Sequence, residues 1–269
     1  MTSPTLADQI ATAQVSVEHL TAWWLGGSGF VLKTSGGLRI YIDPYLSDVV
    51  NKIFGVARAF PTPIRAEDVQ ADCIISTHWH EDHLDPQSIP VIAKNCAAKF
   101  IMPPTAMART LSWGIPRDRI SPLQHNESLT LENVKITAVP ARHEPGIPGW
   151  EVPDAMGVMI EVDGLVFYHS GDTEYDLRLR ALKSWKPDIA TYCINGVSGN
   201  MDAHEAALLA WQMGAKTAIP HHHTLWATKA APSDATQDPT LFENTYRKLG
   251  GEGRVILPEI GQKMEFRKS

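Results

Sequence analysis

The chain has 269 residues, 43% of them apolar and 20% charged, with a formal net charge of -6, the make-up of a globular protein able to bury a substantial core. The acidic balance, without a clustered run of Lys and Arg, argues against a nucleic-acid groove or an acidic membrane surface as the main partner and leaves a small-molecule substrate. Cys73, Cys96 and Cys193 are odd in number and not spaced as a CxxC pair, so neither a disulfide framework nor a thiolate zinc site is indicated. Residues 1–17 lack a basic start and an apolar run, and no stretch reaches transmembrane length. A soluble, cytoplasmic protein is expected, with a homo-oligomer left open.

In chain order, the first third reads as a β-meander: residues 15–25, 30–33 and 38–42 as strands, joined by Gly26-Gly27-Ser28-Gly29 and Ser35-Gly36-Gly37. From Asp72 strands alternate with helices: strand 74–77, helix 85–94 with Asp85-Pro86 as cap and first turn, strand 99–102, helix 105–113. A second β-rich section follows at 128–131, 134–139, 156–162 and 165–169, the last two hinged on Asp163-Gly164. Strands and helices then alternate again through 189–194, 203–213, 217–220, 241–249 and 255–257. β-rich then βα, repeated once, predicts an α/β fold of two packed sheets with helices outside, and with no linker the economical reading is a single domain, 1–269. Two irregular stretches stand out, 143–154 and 223–239, and long loops of this kind are functional or mobile.

The chemistry concentrates after the apolar run Cys73-Ile74-Ile75-Ser76. There Thr77-His78-Trp79-His80-Glu81-Asp82-His83 places three imidazoles and the Asp82 carboxylate within six residues, and imidazole nitrogen and carboxylate oxygen are the usual ligands of hydrolytic metals. A straight strand would send alternate side chains to opposite faces, whereas a turn at the strand end aims two pairs at two adjacent metals. His143, Asp172 and the triplet His221-His222-His223 each follow a predicted strand too, and Asp43 ends one. Ligands delivered from several strand ends to one sheet edge are held by rigid elements.

His78-x-His80-x-Asp82-His83, then His143, Asp172 and a late histidine, resembles the metal-binding signature of the metallo-β-lactamase superfamily. Trp24-Leu25-Gly26-x-x-Gly29-Phe30, Asp43-Pro44-Tyr45-Leu46-Ser47-Asp48, His83-Leu84-Asp85-Pro86, Gly171-Asp172-Thr173 and Asn195-Gly196 followed by Gly199-Asn200-Met201 are most similar to its L-ascorbate-6-phosphate lactonase-like branch. The resemblance implies a four-layer αβ/βα sandwich of two mixed sheets, with a cleft for two divalent ions, zinc or manganese ahead of iron. By position, His78, His80 and His143 would take one metal, Asp82, His83 and a late histidine the other, and Asp172 would bridge. In the branch the late ligand stands in Ile-Pro-x-His, which matches Ile219-Pro220-His221-His222 and selects His222, with His221 or His223 as the slip of one.

The function implied is a dinuclear hydrolase whose bridging hydroxide opens an ester-like bond, a lactone above all, with Asp82 and Asp172 acting in catalysis as well as ligation. A phosphodiesterase and a silent metal-binding scaffold are the alternatives. Asp43, ahead of Asp85 and Asp48, is expected to fix a ligand imidazole; His169 and His204 are read as structural or supporting, and His19 and His125 as bystanders. Trp79, Trp150 and Trp226 are candidates for an apolar wall beside the metals or equally for core packing, Trp23 and Trp24 more for the core, and Arg142 and Lys229 flank ligand loops.

Overall fold

Apolar side chains occupy both faces of the first strands, and the two sets go to different places. In β1 (His19–Gly26) Leu20, Ala22 and Trp24 point one way and Trp23 and Leu25 the other, as the two-residue pleat requires. β2 (Gly29–Thr34) and β3 (Arg39–Ile42) repeat the pattern, with Phe30, Leu32, Ile40 and Ile42 opposed to Val31 and Tyr41. The first set packs with Val158, Ile160, Phe167 and Ile219 of a second sheet, and the second with Ile89, Ile92 and Ala106 of outer helices. The structure, a computed structural model, describes residues 3–144, 146–226 and 237–268; Lys229 and most of the stretch 223–239 lie outside them.

Among the described residues the further strands are β4 (Cys73–Ile75), β5 (Lys99–Met102), β6 (Ile120–Pro122), β7 (Ser128–Leu131), β8 (Val134–Pro140), β9 (Met156–Val162), β10 (Leu165–His169), β11 (Ile189–Cys193), β12 (Thr217–His221), β13 (Arg254–Val255) and β14 (Lys263–Arg267). They make two seven-stranded sheets, β14-β1-β2-β3-β4-β5-β6 and β13-β12-β11-β10-β9-β8-β7. Each is mixed: β14 to β3 and β7 to β10 pair antiparallel, β3 to β6 and β10 to β13 parallel. α3 (Ile89–Asn95) and α4 (Pro104–Ser112) cover the first sheet, and α5 (Ala203–Met213) and α6 (Pro239–Lys248) cover the second, numbering after α1 (Leu6–Thr12) and α2 (Val49–Phe54). This is the expected αβ/βα sandwich.

The differences from expectation are local. Residues 15–18 do not join β1, which starts at His19; α1, α2, β6, β14 and the 3-10 helix Leu177–Trp185 are additions. The helix read at 85–94 begins at Ile89. Asp85 accepts from the backbone N–H groups of Gln87 (2.9 Å) and Ser88 (3.2 Å), as a capping carboxylate does, but it caps the turn before the helix. It also takes the Leu46 N–H at 3.1 Å and the Ser47 hydroxyl at 2.8 Å, tying the loop after β3 to the histidine loop. Among the described residues no helix is long and apolar enough to cross a membrane.

The topology brings strand ends together. β8, β10, β11 and β12 run in one direction and finish at one edge of their sheet, and β3 and β4 finish at an edge of the other. Backbone bonds join the two edges: Met156 N–H to Thr77 O at 3.0 Å and His222 N–H to Gly27 O at 2.8 Å. At Gly171 (φ 58°) an added Cβ would stand 2.9 Å from both Met156 O and Thr77 Cβ, so only glycine permits this approach just before Asp172.

Candidate metal centre

The chain leaves β3 through Asp43 and β12 through His222 with φ of 45° and 60°, a region that costs a non-glycine residue about 1–2 kcal/mol. At His222 the left-handed turn separates the triplet. His222 reaches Asp82 Oδ2 (3.4 Å) and Asp172 Oδ1 (3.3 Å). His221 stacks on His169 at 4.6 Å, and His223 lies against Trp24 at 4.9 Å.

The loop after β4 turns back on itself, with the N–H groups of His83 and Leu84 both donating to His80 O. It delivers two sets of side chains. His78 Nε2 and His143 Nε2 stand 2.9 and 3.3 Å from His80 Nδ1. His83 Nε2 stands 3.3 Å from His222 Nε2 and 3.8 Å from Asp82 Oδ2. Asp172 lies between, with Oδ1 3.4 Å from His83 Nε2 and Oδ2 3.8 Å from His143 Nε2. All seven predicted side chains therefore meet. Ligand atoms fall within 4.8 Å of one another in three overlapping groups: His78, His80 and His143; His78, His83 and Asp172; Asp82, His83 and His222.

Partners outside the cluster set which nitrogens face inward. His80 Nε2 donates to Trp150 O at 3.0 Å, so its Nδ1 presents a lone pair to His78 and His143. His83 Nδ1 donates to Asp43 Oδ2 at 2.8 Å, which turns the Nε2 lone pair toward Asp172 and His222 in the neutral ring. Asp172 Oδ1 is buried without a hydrogen-bond partner. Converging lone pairs and an unsatisfied carboxylate oxygen are costly alone and are what a divalent cation satisfies, so the donor set fits metal. It contains no thiolate and suits zinc, manganese or iron.

The two halves differ electrically. Burial pushes His78 and His80 down and His143 to about 4, keeping these rings neutral and ready to coordinate. Burial would lower His83 and His222 as well, but Asp172 and further carboxylates outweigh it, raising His83 and holding His222 at about 9. Protons there stand in for positive charge, and metal uptake would displace them.

Asp43 is the support expected. It is fully buried and takes the Thr77 N–H at 2.7 Å, the Thr77 hydroxyl at 2.8 Å, the Ser28 hydroxyl at 3.2 Å and the His83 ring. His169 backs it, 3.5 Å from Asp43 Oδ2 and bonded to Thr191 at 2.8 Å. Asp48 is exposed and pairs instead with Asn51, and His204, His19 and His125 bond to Thr245, Val17 and Ala155. Arg142 is held by Glu144 and Glu174. Trp79 is core rather than wall: 7% exposed, it is capped by the Arg109 guanidinium at 3.9 Å, and Arg109 also pairs with Glu81. Trp150 lies over His80 at 4.8 Å, and Trp226 lies beside Tyr45 at 5.9 Å.

Asn200 had a place in a quoted motif but no role. Its Nδ2 donates to Asp172 Oδ2 at 2.6 Å, and an added Cβ at neighbouring Gly199 (φ 76°) would stand 2.4 Å from Glu144 O. The 196–200 turn thus presses on the loops of both Asp172 and His143. The available signal was a glycine-rich turn after β11, at the ligand-bearing edge.

Solved structures share this fold. Igni18, a metallo hydrolase from Ignicoccus hospitalis KIN4/I, superposes with a TM-score of 0.74 at 21% identity, covering 93% of this chain and 100% of that one. An isothiocyanate hydrolase from Delia radicum gut bacteria gives 0.69 at 19% identity, covering 92% and 99%. The architecture is that of the metallo-β-lactamase fold. The family model for a beta-lactamase superfamily domain matches residues 21–222, and the chain belongs to that superfamily. A curated relative, the probable L-ascorbate-6-phosphate lactonase UlaG of Escherichia coli O127:H6 (strain E2348/69 / EPEC), is 25% identical over 302 residues, spanning 97% of this chain and 85% of its own.

Proposed function

We propose that the chain is a single-domain dinuclear metal hydrolase that opens an ester-like bond in a small molecule, a lactone above all. The observation that carries this is the division of Asp172, one oxygen toward His83 and His222 and the other toward His143. His78, His80 and His143 would hold one ion, and Asp82, His83 and His222 the other. Two such ions, zinc or manganese ahead of iron, supply ionised water at neutral pH and positive charge against a developing oxyanion.

The side chains do the rest. Asp82 is the ligand most open to solvent, 20% exposed against 6% for Asp172 and 2% for His222, so it is placed to take a proton from incoming water and return it to a leaving alkoxide. Asp43 and the Trp150 carbonyl keep two imidazole tautomers fixed. The free cysteines and acidic charge support a cytoplasmic setting.

Purified protein is expected to carry about two transition-metal ions per chain and to turn over lactones in a panel that also holds phosphodiesters and chromogenic esters. Turnover of phosphodiesters alone would replace the lactonase by a phosphodiesterase. Bound metal with no turnover would leave a scaffold, and full activity without metal would end the reading. Asn200→Ala is expected to weaken metal retention about 10–100-fold, the usual cost of losing a partner behind a ligand. Chelator titration measures this, and unchanged retention would remove Asn200 from the support of Asp172.

A further inference from the structure

Carbon packs against the His80 side of the centre. Trp150 covers the His80 ring with its plane tilted by 36°, and Phe54, the last residue of α2, meets the Trp150 indole edge-on at 5.0 Å. Phe54 is nevertheless 44% exposed, and Ile53 before it and Ile147, whose carbonyl accepts the Trp150 N–H, are 53% and 48% exposed. One exposed apolar side chain needs no explanation. A run of them that continues directly from a ligand imidazole does.

α2 shows why the shelf stands open. Its first residues, Val49 and Val50, are buried with Tyr45 and Leu225, while its end projects past that cluster. The two cationic side chains on and just after α2 are engaged elsewhere. Lys52 donates to Gln87, and Arg58 lies over the Tyr45 and Phe60 rings at 4.6 and 4.9 Å. The buried, unpartnered Nη2 of Arg58 belongs to a side chain that lines an outer groove with Asp48, a groove that none of the seven ligand residues lines.

We propose that the Phe54–Trp150 shelf binds an apolar portion of the substrate, so that the molecule hydrolysed carries an alkyl or aryl group beside its scissile bond. This rests on the hydrolase reading above and deepens it by naming the substrate class. Each methylene seated on the shelf is expected to raise kcat/KM by up to about fourfold.

The test uses the metal-loaded protein, a series of lactones with lengthening n-alkyl substituents, and the matching n-alkanoates as binding probes in calorimetry. Wild type should gain in kcat/KM and alkanoate affinity with chain length. Phe54→Ala, an exposed change away from the ligands, should flatten both slopes with metal content unaltered; Phe54→Leu should restore most of them. A flat wild-type series, or slopes unchanged by Phe54→Ala, overturns the proposal. So does a shift in oligomeric state on Phe54→Ala with slopes intact, which would make the shelf an interface between copies. Should no lactone or ester turn over, the hydrolase reading fails by itself, and the alkanoate slopes still decide the shelf.

Discussion

Asp172→Asn is expected to leave a folded protein that loses both metal retention and hydrolysis. The substitution keeps the shape of the side chain and removes its charge. The native carboxylate is buried and lies between two sets of donors, Oδ1 3.3 Å from His222 and Oδ2 3.8 Å from His143. Burial would raise its pKa, but His222 and His83 overcome this and hold it well below the ordinary carboxylate range. An amide presents one oxygen and one N–H pair, so one set would meet a donor where it needs an acceptor. The loss should exceed the roughly 10–100-fold caused by removing an outer partner. Metal analysis after gel filtration, with circular dichroism as the check on folding, reads the outcome. A variant keeping both ions and full turnover would refute the bridging role.

Asp43→Ala should act chiefly on stability. This carboxylate is fully buried and receives the backbone and hydroxyl of Thr77, the Ser28 hydroxyl and the His83 ring. Removing it leaves those donors without an acceptor in the interior, and breaking a buried ionic pair by deleting one partner costs about 3–5 kcal/mol. At this chain length that lowers the melting temperature by roughly 6–20 °C. Asp43→Asn separates two effects. It can still accept from Thr77, but turning its NH2 toward His83 Nδ1–H sets donor against donor, so it should lose metal even where melting is partly spared. Melting curves within a degree or two of wild type for Asp43→Ala would contradict the assignment.

Much of this was legible because it is local or periodic. The pleat of β1 to β3, the order of β-rich and βα segments, and the density of candidate ligands at 78–83 all lie in short windows, and Asp43 stood out by ending a strand beside that loop. What escaped depends on distant pairing. β14, read as Lys-Met-Glu-Phe-Arg, alternates like a strand but has no neighbouring hairpin, and only β1, at the other end of the chain, makes it one. α2, Val-Val-Asn-Lys-Ile-Phe, has β-favouring residues in a six-residue helix. Trp79 sits among candidate ligands and reads equally as substrate wall or core in the sequence; the Arg109 side chain of α4, closing over it, decides for the core. His222 was singled out by the Ile-Pro-x-His match, and what brings it beside Asp82 and Asp172 is a left-handed turn, φ 60°, that no local pattern announces.

The pairing of β14 with β1 has a bearing on how the protein is made. Among the described strands β1 is made before all the others, and its side chains are buried on both faces in the finished sheet, yet β14, which closes its edge, follows all of them. Until then a Trp-Trp-Leu edge stands open to pair with another nascent chain. Aggregation during expression, and its relief by slower synthesis or chaperones, would trace to that delay.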